Sequence, residues 1–122
     1  MHILVVEDDL MVQQVCQGML RALGHSSTTV SNAIDAVERL TAMPQQFDLV
    51  ILDNGLKGLS GMELFAILRE WNISIPVILI SGVRPLLEAD DMIEKSSHFQ
   101  FLAKPFTIAD LRSAIERSKC AT

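Results

Sequence analysis

Five side chains in this sequence are of types that do chemistry together: Glu7, Asp8, Asp53, Ser81 and Lys104. Each stands at the end of a short apolar run. Glu7 and Asp8 follow Ile3–Val6, Asp53 follows Leu49–Leu52, Ser81 follows Val77–Ile80, and Lys104 follows Phe99–Ala103. Carboxylates gathered at one place repel, and two like charges about 4 Å apart cost roughly 4 kcal/mol at an effective dielectric of 20. Three of them must be protonated, spread apart or neutralised by a cation. Oxygen-only ligands with open water positions suit Mg2+ better than Ca2+. Zinc would want histidine or thiolate, and His2, His25 and His98 are scattered elsewhere. Taken singly, each residue has a blander reading. An acid at a strand end is usually a helix cap or a solvated loop residue, as Asp9 is expected to be, and a lone serine or lysine means nothing. Their conjunction is what carries meaning, because all of them fall at the same end of their own runs.

The elements that must position these residues are legible in the hydrophobic pattern. Four runs rich in β-branched residues, Ile3–Val6, Thr28–Val30, Leu49–Leu52 and Val77–Ile80, are expected as strands, with Phe99–Ala103 as a fifth. Apolar runs without alternation suit parallel strands covered on both faces. Helical spacing lies between them. Met11, Val12, Val15, Cys16, Met19, Leu20 and Leu23 recur at three- and four-residue steps, closed by Gly24. Ile34, Val37, Leu40 and Met43 follow the cap Asn32. Met62, Leu64, Phe65, Ile67 and Leu68 form a third helix that stops before Pro76, and a fourth is expected from about Pro85 to Lys95. The last begins at Thr107, with Asp110 as its capping partner and Ile108, Leu111 and Ile115 as its apolar face.

Strand and helix alternate five times without a linker or repeat. The expectation is an α/β fold, a flavodoxin-like (βα)5 doubly wound sandwich with a parallel five-stranded sheet in the order 2-1-3-4-5. Ligands of such sheets bind beyond the carboxyl ends of the strands, near the switch point between the first and third, where the five side chains would converge.

A chain of 122 residues is expected to form one domain, residues 1–122, with a core of about 2–118 and a short C-terminal tail. The net charge of −5 offers no basic face for nucleic acid, so no direct nucleic-acid binding is expected. No apolar stretch approaches the length of a membrane span or signal core, which makes a reducing cytoplasm the expected location. Cys16 falls in an apolar helical pattern and reads as a buried thiol, while Cys120 reads as an exposed tail thiol. Most methionines fit core stripes, and Trp71 reads as an amphipathic cover at the core edge.

Four segments, "ILVVEDD", "FDLVILDNGLKGLSGMEL", "PVILISG" and "FLAKPF", resemble in order and spacing the receiver domains of two-component response regulators. The resemblance spans the chain. It implies that Asp53 is the phosphoacceptor and that Asp8, Asp53 and the backbone carbonyl of Gly55 hold Mg2+, with Glu7 acting through a metal-bound water. It further implies that Ser81 and Lys104 meet phosphoryl oxygens, that Phe101 is the switch aromatic paired with Ser81, and that the Lys104–Pro105 bond is cis. The implied donor is a sensor histidine kinase or histidine phosphotransfer protein. The output surface would be the fourth predicted helix, the fifth strand and the last helix, where a downstream protein or a second copy would dock. On this reading the chain is a signalling switch without an output domain of its own, and it catalyses only its own phosphorylation and dephosphorylation.

The sequence departs from the family's pattern at Lys57, where proline is usual, and across the fourth predicted helix, "PLLEADDMIEKSSHFQ". These differences bear on partners more than on phosphorylation. Gly55 and Val83 occupy the positions that modulate phosphoryl lifetime, and neither carries a polar side chain. Two alternatives are disfavoured. A phosphatase of the haloacid dehalogenase type places a second aspartate two residues after the nucleophile, where this chain has Gly55. A flavodoxin-like cofactor binder needs a phosphate loop, and acids fill that rim here.

Overall fold

A run of β-branched residues that is apolar on both faces can be buried only between two helical layers. The computed structural model describes residues 1–43, 45–55, 61–82 and 99–119. Along them run β1 (His2–Val6), α1 (Leu10–Ala22), β2 (Ser26–Val30), α2 (Ala33–Ala42), β3 (Leu49–Asp53), α3 (Gly61–Glu70), β4 (Val77–Ser81), β5 (Phe99–Ala103) and α4 (Ile108–Lys119). The strands form one parallel sheet in the order β2-β1-β3-β4-β5, the expected flavodoxin-like topology.

Alternate residues of the central strands feed two cores. On one face Leu4, Val6, Val50, Leu52, Val77 and Leu79 pack with Ala36 and Leu40 of α2 and Leu64 and Leu68 of α3. On the other, Ile3, Val5, Leu49, Ile51, Ile78 and Ile80 pack with Cys16 and Leu20 of α1 and Leu111, Ala114 and Ile115 of α4. The sheet is therefore clamped between α2 and α3 on one side and α1 and α4 on the other.

Local signals start and stop these helices. The Asp9 carboxylate accepts from the N–H groups of Met11 and Val12, capping α1. Gly24 takes φ +86°, and the N–H groups of Gly24 and His25 turn back onto the carbonyls of Arg21 and Leu20, a Schellman closure. Asn32 caps α2 by accepting from the Asp35 N–H at 2.8 Å. Thr107 and Asp110 cap α4 reciprocally, each side chain accepting from the other's backbone N–H at 3.1 and 2.9 Å.

The helix faces differ from the expected stripes. Met11 and Val15 point outward, and α1 buries Gln13, Cys16 and Leu20 in their place. In α2, Ile34 and Met43 are exposed, while Ala33, Ala36 and Leu40 face the sheet. In α4, Ile108 is exposed and Ala114 and Ser118 join Leu111 and Ile115 inside. The physical reason is close approach. A helix lying flat on a sheet covers a narrow strip, which small residues suit, and apolar side chains flanking the strip stay in water. Met11 and Met43 are thus surface residues, not core filler, and Trp71 is 54% exposed at the end of α3. Cys16 is the buried, unbridged thiol expected. The predicted fourth helix, Lys57, Val83, Met92, His98 and Cys120 lie outside the described residues, and nothing is described of the side chains of Met62 and Phe65. No helix among the described residues is long and apolar enough to cross a membrane.

The corrected α1 face has a direct consequence for stability. Leu20→Ala is expected to lower unfolding free energy by about 2–5 kcal/mol, whereas Met11→Ala should change it by about 0.5 kcal/mol or less. Urea unfolding of the two variants checks the assignment; equal losses would return Met11 to the core.

Candidate functional site

All five strands of a parallel sheet end at the same edge, so residues that follow the strands collect on one rim. β1 and β3 are neighbours, with Val6 opposite Leu52, which brings Glu7 and Asp8 beside Asp53. Asp53 stands opposite Ile80, and Ser81 opposite Ala103, so the β4 and β5 ends join the same rim. Two backbone bonds carry the ladder past the strand ends. The Asn54 N–H donates to the Ile80 carbonyl and the Lys104 N–H to the Ser81 carbonyl, each at 2.9 Å.

The side chains converge accordingly. Carboxylate oxygens of Glu7, Asp8 and Asp53 all lie within 4.8 Å of one another. Glu7 and Asp53 are buried at 4% and 8% exposure, and Asp8 is open to solvent. The Lys104 ammonium sits 3.2 Å from Asp53 Oδ1. The same oxygen accepts from the Gly55 N–H at 3.2 Å. Ser81 is buried in the rim. A Cβ added at Gly55 would lie 3.6 Å from Asp53 Oδ2, an ordinary contact, so this position could carry a side chain over that carboxylate without strain. The peptide bond between Lys104 and Pro105 is cis. Phe101 is half-buried against the α2–α3 core and opposite Leu79, on the sheet face that Ser81 shares by register.

Charge at this rim does not balance. Among the described residues, one ammonium faces three carboxylates, two of them buried. Burial pushes the Glu7 carboxyl up to about 7; the Asp9 N–H that its Oε1 accepts at 3.0 Å opposes this, and the smaller effect of the nearby Asp53 charge adds to it. Either a proton or a cation can relieve such a cluster. Its donor set of clustered carboxylate oxygens, part of it open to water, fits a hard divalent ion such as Mg2+.

Every described residue in the predicted site is on this rim or, for Phe101, just behind it. Sequence reasoning missed Gln13. Its buried amide donates to the Glu7 carbonyl at 2.5 Å and reaches the Ser31 hydroxyl at 3.4 Å. A polar residue inside the Val12–Cys16 stripe was the available signal.

The Glu7 carboxyl sets a pH dependence. Raised from 4.5 to about 7, it leaves the folded state holding more protons than the unfolded state between these values. Stability without metal is therefore fullest below pH 4.5 as far as Glu7 is concerned, and falls as pH rises through 7, by at most about 1.4 kcal/mol per pH unit. Chemical denaturation at pH 5 and pH 8 in chelator should show this loss, and Glu7→Gln should flatten it. A Glu7→Gln profile identical to wild type would show that the carboxyl ionises without penalty.

The sequence profile of the response regulator receiver domain matches residues 3–116. Transcription factor SKN7 of Saccharomyces cerevisiae is 33% identical over 118 residues, covering 95% of this chain and 18% of that protein. The chain spans about a fifth to a half of the length of the first curated relatives it matches. A response regulator receiver domain protein from Clostridium thermocellum superimposes with a TM-score of 0.81 at 27% identity, over 99% of this chain and 98% of that one. The receiver domain of a sensor histidine kinase from Pseudomonas aeruginosa, whose structure has magnesium coordinated in the active-site cleft, gives a TM-score of 0.76 at 30% identity. It covers 95% of this chain and 94% of that one. With the rim geometry, topology and matched length in agreement, the chain belongs to the response regulator receiver domains, the phosphorylation-dependent signalling modules of two-component systems.

Proposed function

We propose that Asp53 accepts a phosphoryl group from a phosphohistidine on a sensor histidine kinase or histidine phosphotransfer protein, in a magnesium-dependent reaction. The observation that carries this reading is the Lys104 ammonium 3.2 Å from Asp53 Oδ1 beside the clustered carboxylates of Glu7 and Asp8. An Asp53 oxygen attacks phosphorus, the phosphorus–nitrogen bond breaks, and the imidazole leaves with the electron pair and takes up a proton. Lys104 lies where negative charge accumulates on the transferring group and offsets it. Ser81, buried on the same rim, donates its hydroxyl to a phosphoryl oxygen. Asp8, Asp53 and the Gly55 carbonyl would hold the ion, with Glu7 behind a bound water; when bound, Mg2+ supplies charge neutralisation and orientation for phosphoryl transfer. The chain acts on no substrate other than its own phosphoryl group.

The aspartyl phosphate carries a charge of about −1.5 to −2 and three strong acceptors. Drawing the Ser81 hydroxyl toward them vacates space on the sheet face it shares with Phe101. Turning the Phe101 ring into that space changes the surface of β5 and its flanking helices, where a downstream protein or a second copy of the chain would dock. Phe101 has no hydroxyl, so the change travels by packing alone. The location that goes with this reading is the cytoplasm.

Intact mass after incubation with a small acyl phosphate tests this chemistry. Wild type should gain one phosphoryl group with Mg2+ and none with chelator, and Asp53→Asn should gain none under either condition. Ser81→Ala should still be modified, about tenfold or more slowly, as expected on losing one donor to the transferring group. Modification of Asp53→Asn at the wild-type rate would refute the assignment of the phosphoacceptor. If Asp53 is phosphorylated while amide spectra of β5 and α4 stay unchanged, the switch is refuted.

A further inference from the structure

We infer that Gln13 is a positioning residue for the acidic turn, and that its side-chain amide sets how Asp8 is presented to a divalent cation; this rests on the magnesium reading above. The turn from Glu7 to Asp9 carries two of the three rim carboxylates, and its conformation is fixed almost entirely by hydrogen bonds from outside itself. The Glu7 N–H donates to the Val30 carbonyl of β2 at 3.1 Å. The Glu7 carbonyl accepts from Gln13 Nε2 at 2.5 Å. The Asp9 N–H donates to the Glu7 carboxylate, and the Asp9 carboxylate is committed to capping α1. Asp8 is the one acid of the turn whose carboxylate is exposed at the rim, and its direction follows from the peptide plane that joins it to Glu7.

That plane has two handles. Its nitrogen belongs to Asp8 and its oxygen to Glu7, and the oxygen is where Gln13 takes hold. A peptide plane without an anchor can turn about the flanking ψ and φ angles, and wherever the two changes do not cancel the Asp8 side chain swings with it. The Gln13 amide opposes it, because a buried carbonyl that loses its donor is left with an unmet desolvation penalty. Gln13 has little freedom to do anything else. It is 7% exposed on the face of α1 that packs on the sheet, and its Nε2 also reaches Ser31 Oγ at 3.4 Å. Ser31 lies between the end of β2 and the Asn32 cap of α2. The amide thus ties the acidic turn to the adjoining β2–α2 corner. An apolar residue would serve packing at this position equally well, so the amide is explained by the carbonyl it meets.

The test is Mg2+ affinity of the unphosphorylated protein by isothermal titration calorimetry. The proteins compared are wild type, Gln13→Met, Gln13→Asn and Asp8→Asn, each checked for folding by its amide spectrum. Gln13→Met keeps length and burial without a donor, and Gln13→Asn keeps the amide one methylene short of the carbonyl. Both should weaken Mg2+ binding by about tenfold or more, the scale seen when groups that orient metal ligands are removed. Asp8→Asn should abolish measurable binding. A merely structural role for Gln13 would lower the urea midpoint of both variants yet leave Mg2+ affinity at the wild-type value, and that result overturns the inference. Should Gln13→Met fail to fold, Gln13→Asn alone decides between the same two outcomes. Wild type that binds no Mg2+, or Asp8→Asn that binds it as wild type does, would instead overturn the magnesium reading and this inference with it.

Discussion

Everything at the rim follows from a surplus of negative charge. Glu7 and Asp53 are buried acids, Asp8 stands beside them, and the Lys104 ammonium pairs with Asp53. A buried carboxylate is tolerable only when donors and countercharge replace the water it has lost. Asp53 has the Lys104 ammonium and the Gly55 N–H; Glu7 has the Asp9 N–H. Among the described residues the balance is still short, and Glu7 meets it by keeping its proton to about neutral pH. A bound cation and that proton are therefore alternatives. Metal binding should displace a proton around neutrality, so cation affinity rises with pH while cation-free stability declines.

The fold is the device that makes this crowding possible. Antiparallel neighbours would send alternate strand ends to opposite edges, whereas a parallel sheet gathers every carboxyl end on one. Because the order runs β2-β1-β3-β4-β5, chain connections leave β1 and β3 toward opposite faces: α1 covers one side, α3 the other. The rim lies between them, and it is there that Glu7, Asp8 and Asp53 meet. Two continuous cores of close-packed aliphatic side chains keep the strands from sliding, so electrostatic repulsion is borne by a rigid frame.

The sheet and the site were largely legible in the sequence because both depend on strands. Runs such as Leu49–Leu52 are too short and too β-branched for helices, and the residue that follows each run inherits its place at the rim. Caps were legible for a related reason: Asp9, Asn32 and Thr107 act within three residues of themselves. Helix faces were not. In α1 and α2 the apolar residues span more of the circumference than the sheet can cover, so periodicity alone left the choice between Met11 and Cys16, or Ile34 and Ala36, undetermined. Close packing then favoured the smaller side chains. Gln13 escaped notice because its partner is a backbone carbonyl, and a carbonyl leaves no mark in the sequence of side chains.

Glu7 shows why a stability argument does not account for this site. A neutral side chain at that position would remove a buried, raised carboxyl and relieve Asp53 of a repelling neighbour, so the fold alone would favour it. The same holds in weaker form for Gln13, whose amide must be desolvated inside an otherwise apolar strip. Local rules broken together at one rim are what function demands of an otherwise consistent sequence. The violations share a direction. Glu7 adds negative charge beside Asp53 and Gln13 ties down the acidic turn, which on the proposed reading favours a cation and then a phosphoryl group. On that view the excess charge is the stored asymmetry of the switch. On the proposed reading the unmodified rim calls for a cation or a proton, and the modified rim, with still more charge, calls for every donor within reach, Ser81 foremost because it ends β4, the strand between those of Asp53 and Phe101.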